Sequence, residues 1–225
     1  KQPRASKKGQ CARMFYSSHC VNRRSGMASI RQVINDLHSK GDWKTALDIQ
    51  NKSEDEYNTV LWIRPAMEDL IFINKAVTSR SLNVLVSIGC GSGFLEWLIH
   101  SATGLKVVGV EVDRNWWTSS YIKVYIPLIY QEDKQCVDIL QDSDTAVMFC
   151  YFNNGHAFNE YLNKFKGPCL IIVGPKCNRH TNPHPFHPAF ERDEWALRDY
   201  KQIQDTNDYI VVYDRQLESV GSSPY

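Results

Sequence analysis

Apolar positions along the first third of the chain recur at helical spacing. Ile30, Val33, Ile34 and Leu37 fall on one face of a helix over 30–38, with Ser29 placed to cap it and Gly41 to stop it. A second short helix is expected from Trp43 to Ile49. Ser53 ahead of Glu54, Asp55 and Glu56 marks another helix start, because acids suit the positive end of a helix dipole. Pro65 breaks or kinks the stretch 57–77. From Leu82 the pattern changes. Val84–Ile88 is a β-branched run ending in glycines, 93–102 is helical with Leu95, Leu98 and Ile99 inward, and 105–113 is a second strand. The segment 114–146 is ambiguous, with a helix expected over 116–123 and a short strand nearby. Further strands are expected at 146–152, 169–173, 195–203 and 209–213, with a helix over 157–165 and a hairpin-like turn at 205–208.

Strands alternating with helices predict an α/β fold, a doubly wound and mostly parallel sheet. No helix-length pattern separates the last two strands, so the sheet should close on an antiparallel C-terminal hairpin. Counting the short strand within 114–146, seven strands are expected. Four segments follow: a basic arm at 1–26, a helical preamble at 27–80, the α/β body at 81–215 and a tail at 216–225.

Composition adds limits. The chain has 225 residues, 43% hydrophobic and 23% charged, enough for one ordinary core. No apolar run is long enough for a membrane span. Residues 1–26 carry seven basic residues and no acid, so removing them from the net +1 leaves −6 on the rest. A basic arm on an acidic body suits a nucleic-acid contact, with a slight tilt toward RNA, or a targeting segment; a merely solvated terminus is the plainer alternative. Seven cysteines, an odd number, fit a reducing compartment better than a disulfide framework. The expected location is intracellular, cytoplasmic or nuclear, with the mitochondrion a further option.

Candidate chemistry centres on Ser87-Ile-Gly89-Cys90-Gly91-Ser-Gly93, where a strand gives way to a helix. Glycines permit a tight turn and close ligand approach, and the helix start offers free N–H groups to an anion. A dinucleotide fingerprint, G-x-G-x-x-G, needs glycine where Phe94 stands, which weighs against a nicotinamide-dependent oxidoreductase. The observed G-x-G-x-G resembles motif I of the class I S-adenosylmethionine-dependent methyltransferases, over about residues 82–215. The resemblance implies that Gly89, Gly91 and Gly93, with Cys90, wrap the methionine part of that cofactor. It implies that Glu111, at the end of the next strand, accepts from the ribose hydroxyls, with Asp113 the weaker candidate. Ser87 stands where the family usually carries an acid, so it brings a hydroxyl and no charge.

The acceptor end is less specific. In the family, substrate residues project after the fourth strand, which is here Tyr151-Phe-Asn153-Asn154-Gly-His156. Asn153 or Asn154 is a candidate for orienting an acceptor, and His156 for a general base; Asn-Gly is equally a turn signal. No D/N-P-P-Y motif is present. Lys176 follows the fifth strand, as a lysine does in RNA ribose methyltransferases, but the aspartate of that set is missing. Cys150 and Cys177 suit core and loop roles better than a nucleophile's. Cys177, His180, His184 and His187 are zinc-type residues at no familiar zinc spacing, and the prolines among them favour a lid or recognition loop; Cys11, His19 and Cys20 are sparser still. Trp116 and Trp117 are placed to stack on adenine or to pack a helix. Two functions follow: an S-adenosylmethionine-dependent methyltransferase acting on RNA, a small molecule or a protein, and a cofactor-binding partner or sensor without catalysis.

Overall fold

Side chains alternate across the central strands and so feed two apolar cores, one on each face of a single sheet. Leu85, Ala146, Met148, Ile171 and Val212 point to one face; Val86, Ile88, Val147, Phe149, Leu170 and Val211 point to the other. The computed structural model describes residues 28–49, 60–177 and 181–216. The basic arm, the helix start expected at Ser53, Cys11, His19, Cys20, His180 and residues 217–225 lie outside the described residues.

Seven strands form the sheet: β1 (Val84–Ile88), β2 (Lys106–Glu111), β3 (Leu128–Tyr130), β4 (Thr145–Cys150), β5 (Cys169–Pro175), β6 (Trp195–Gln202) and β7 (Asp208–Arg215). Their order is β3-β2-β1-β4-β5-β7-β6. The first five pair in parallel, and β7 runs antiparallel between β5 and β6. The fold is therefore the doubly wound, mostly parallel class with an antiparallel C-terminal hairpin that the pattern predicts.

The preamble shares the first core. Helix α1 (Ile30–Ser39) starts on a capping box: Gln32 N donates to Ser29 Oγ at 3.3 Å, and Ser29 N to Gln32 Oε1 at 2.9 Å. It is followed by α2 (Trp43–Asp48), and α3 (Met67–Thr78) begins just past Pro65. Ile34, Leu47, Leu70 and Ile73 pack in one cluster with Leu85 and Leu98. Asp69, fully buried in the first turn of α3, accepts from Ala66 N at 2.8 Å and pairs with Lys201 of β6. That contact ties the preamble to the far edge of the sheet. Helix α4 (Phe94–Thr103) packs on the same face. On the other face lie α6 (Lys134–Leu140), with Cys136 and Leu140, and α7 (Gly155–Lys164), with Phe158, Tyr161 and Leu162.

Two local expectations are corrected. The helix expected over 116–123 is a single turn, α5 (Arg114–Trp117). Its continuation holds the β-branched Thr118, Ile122 and Val124, and Pro127 disfavours helix at Ile126. The strand expected to reach Phe152 ends at Cys150, and Tyr151 takes a left-handed φ of 50°. Among the described residues no helix is long and apolar enough to cross a membrane.

Phe149 is fully buried and meets Phe152, Phe158 and Tyr161 edge-on. Phe149→Ala should lower unfolding stability by about 3–5 kcal/mol, read from the urea midpoint at unchanged slope.

Candidate cofactor site

The order of strands reverses between β1 and β4, and in open α/β sheets the crevice at such a point is where ligands bind. The glycine loop leaves β1 there. Gly89 N donates to Val110 O at 2.8 Å and Gly93 N to Cys90 O at 3.2 Å, which folds the loop back on itself over β2. Two positions require glycine. Gly89 has φ 68°, and a Cβ there would stand 3.0 Å from the Phe152 ring; Gly93, the N-cap of α4, has φ 75°, and a Cβ would stand 2.4 Å from Ile126 Cγ1. The irregular segment after α5 is what crowds Gly93, and it clamps the loop through Tyr125 N donating to Ser92 O at 2.8 Å.

Glu111 ends β2 and is buried. Gly91 N donates to its Oε1 at 2.6 Å and Val112 N to its Oε2 at 3.3 Å, and the Trp117 side chain also hydrogen-bonds the carboxylate. Burial nevertheless lifts the Glu111 carboxyl above its usual range. The ring of Trp117 reaches to 3.8 Å from where a Gly91 Cβ would be, so this indole overhangs the loop, while Trp116 is 46% exposed. Desolvation keeps the Cys90 thiol well above the ordinary cysteine range, so Cys90 stays protonated; its Sγ fills the space over Gly109.

Ser87, Gly89, Cys90, Gly91 and Gly93 thus lie on one strand-to-loop segment, and Glu111 is joined to it through Gly91 N; Ser87 itself is fully buried. Asp113 stands apart from them. It lies beyond the end of β2, is exposed, and caps α5 by accepting from Trp116 N at 3.0 Å.

Glu96 is a residue that the sequence reading passed over. It occupies the first turn of α4 and is 1% exposed. Ser87 Oγ donates to Glu96 Oε1 at 2.6 Å, whereas Oε2 is buried without a hydrogen-bond partner. Burial pushes this carboxyl up to about 7, against the opposing bond from Ser87. Among the described residues no cation lies within ion-pairing distance of it. The signal was present as a lone acid in the apolar run Phe94-Leu-Glu-Trp-Leu-Ile99.

The acceptor candidates are placed differently from one another. Asn153 forms an isolated bridge with Asn182. Asn154 is the N-cap of α7, its Oδ1 accepting from Ala157 N at 3.0 Å. His156 is largely exposed, 3.5 Å from Glu160 one turn on. Nearer the crevice, Tyr151 donates its hydroxyl to Asp208 Oδ1 at 2.7 Å and stacks on Trp62 at 5.7 Å. Burial raises the titration of both the Asp208 carboxyl and the Tyr151 hydroxyl. His184 engages both ring nitrogens, Nε2 with Lys176 O at 2.8 Å and Nδ1 with the backbone N–H groups of Phe186 and His187.

No protein-family model matches the chain, and no curated protein matches it in sequence. Solved structures do. MtNAS in complex with MTA and tNA is 14% identical at a TM-score of 0.46, covering 83% of this chain and 74% of that one. Magnesium protoporphyrin IX methyltransferase from Synechocystis PCC 6803, with bound SAM, is 10% identical at 0.42, covering 86% and 100%. A mitomycin 7-O-methyltransferase is 11% identical at 0.40, covering 83% and 67%. At TM-scores below 0.5 these likenesses carry no argument; the fold rests on the strand order and pairing, and the chemistry on the residues around the glycine loop.

Glu96 makes stability depend on pH in a known direction. Its folded carboxyl holds a proton up to about pH 7, while the unfolded one releases it near 4.5, so its contribution is full below about 4.5 and is lost as pH rises to about 7. The stability of Glu96→Gln relative to wild type should therefore rise by on the order of 3 kcal/mol from pH 4.5 to pH 8. Equal pH dependence in both proteins, measured by urea unfolding, would refute the buried assignment.

Proposed function

We propose that this chain is a methyltransferase that uses S-adenosylmethionine. One observation carries the reading: the carboxylate ending β2 and the glycine loop ending β1 meet in a hydrogen bond, Gly91 N to Glu111 Oε1 at 2.6 Å, at the switch point of the sheet. The residues fit the cofactor. Gly89, Gly91 and Gly93 would hold its methionine part, near the N–H groups at the start of α4. Glu111 has carboxylate lone pairs to accept from the ribose hydroxyls, and the Trp117 indole overhanging Gly91 would cover the adenine side. When bound, S-adenosylmethionine supplies a methyl group on a sulfonium, open to in-line displacement; the protein's part is orientation and, where needed, a base.

The acceptor side would be the region after β4, where Tyr151, in a left-handed conformation, is hydrogen-bonded to Asp208 and stacked on Trp62. Strain of that kind concentrates at functional sites. The seven basic residues in 1–26 favour RNA as the acceptor, with a small molecule or a protein side chain as the other outcomes of a substrate screen. A second reading, a cofactor-binding module without catalysis, draws support from Asn154 acting as a helix cap and His156 pointing to solvent. Transfer of labelled methyl from S-adenosylmethionine to any acceptor supports the first reading; binding without transfer across the screen supports the second.

Glu111→Ala should weaken S-adenosylhomocysteine by about 1.5–3 kcal/mol in a calorimetric titration, whereas Asp113→Ala should leave its affinity within about twofold. Equal effects of the two substitutions would remove the ribose role from Glu111. If RNA is the acceptor, deleting residues 1–26 should weaken RNA binding and flatten its dependence on salt; an unchanged salt slope would exclude the arm from the contact.

A further inference from the structure

We propose that Glu96, on α4, is the residue that receives the ammonium of the cofactor's amino-acid part. The inference rests on the methyltransferase reading and deepens it. Glu96 faces β1 from the first turn of α4 and is buried. Ser87 Oγ on β1 reaches it at 2.6 Å, and it interacts electrostatically with Cys90 in the glycine loop, Glu111 at the end of β2 and Cys150 at the end of β4.

The two acids of the crevice are in different states. Glu111 already takes hydrogen bonds from Gly91 N, Val112 N and the Trp117 side chain. Glu96 takes its side-chain hydrogen bond from Ser87 at Oε1, and Oε2 is buried with no hydrogen-bond partner. A buried carboxylate with one oxygen unpartnered is a cost in any fold, relieved by protonation or by a cation. Among the described residues none supplies that cation.

An amino-acid ligand brings both signs of charge. Its carboxylate suits the N–H groups opening α4, which a left-handed Gly93 leaves uncapped by any side chain. Its ammonium needs an anionic acceptor within a few ångströms of that same helix start, and Glu96, in the first turn, is the acid there with a vacant oxygen. Ser87 has a positioning role: its hydroxyl fixes Oε1, and this leaves Oε2 to the ligand. The site then selects nucleoside thioethers that carry an amino acid over those that lack one.

The test compares two probes by calorimetry at pH 8, on the full chain and on Glu96→Gln. One is S-adenosylhomocysteine; the other is 5′-methylthioadenosine, which keeps the nucleoside and sulfur but has no ammonium. The variant retains the hydrogen bond from Ser87 and should fold. The expected result is a loss of roughly tenfold or more for S-adenosylhomocysteine, with 5′-methylthioadenosine changed by no more than about twofold. Equal losses for both probes, or no loss for either, would overturn the proposal and leave Glu96 a structural residue. If 5′-methylthioadenosine alone binds the wild-type chain, the ammonium role falls while the nucleoside site stands. If neither probe binds it, the methyltransferase reading falls and the role of Glu96 with it.

Discussion

The parallel pairing of β1 with β2 on one side and β4 on the other is the constraint from which the site arises. Parallel neighbours cannot be joined by a tight turn, so the chain has to leave β1 at its carboxyl end and return over a face of the sheet. It does so through α4 toward β2 and later through α6 toward β4, on opposite faces. The connections therefore part above the carboxyl end of β1, and the backbone there is free to face a ligand. The glycine loop and Glu111 stand at that parting because strand order puts them there. The contact between them, Gly91 N to Glu111 Oε1, then fixes the loop against β2.

Burial of charge is the second organising effect. Both crevice acids are desolvated, and both titrate above the ordinary carboxylate range as a result. Hydrogen bonds resist that shift in each case, from Gly91, Val112 and Trp117 at Glu111 and from Ser87 and its own backbone at Glu96. Glu96, titrating at about 7, is therefore about half protonated near neutral pH in the free protein and ready to ionise fully beside a cation. Asp69 shows the other solution to the same problem. It is equally buried, but α3 gives it a backbone donor and β6 gives it Lys201, so its charge is matched within the fold.

Much of this was legible along the chain. The β-branched runs marked the central strands because they are buried on both faces, and the missing helix before β7 marked the antiparallel hairpin. The spacing of Gly89, Gly91 and Gly93, with Glu111 on the following strand, placed the crevice. What escaped depends on contacts between distant segments. Trp62, Tyr151 and Asp208 come together only through the fold. Glu96 was overlooked because its meaning lies in Ser87, on another element. Asn154 was weighed as a substrate contact or a turn residue, and the local chemistry it performs is the capping of α7. The helix expected over 116–123 is cut short for a local reason, the β-branched residues and the proline that follow its first turn.

The most direct test of the central claim observes the crevice itself while ligand is added. With uniformly 15N-labelled protein, saturating S-adenosylhomocysteine should move the amide resonances of Gly89, Gly91, Gly93 and Val112, and the indole N–H of Trp117. Amides of β6 should stay in place, and NADH should move none of the set. Resonances of the glycine loop that stay still at millimolar S-adenosylhomocysteine, or that respond to NADH instead, would contradict the assignment of this crevice.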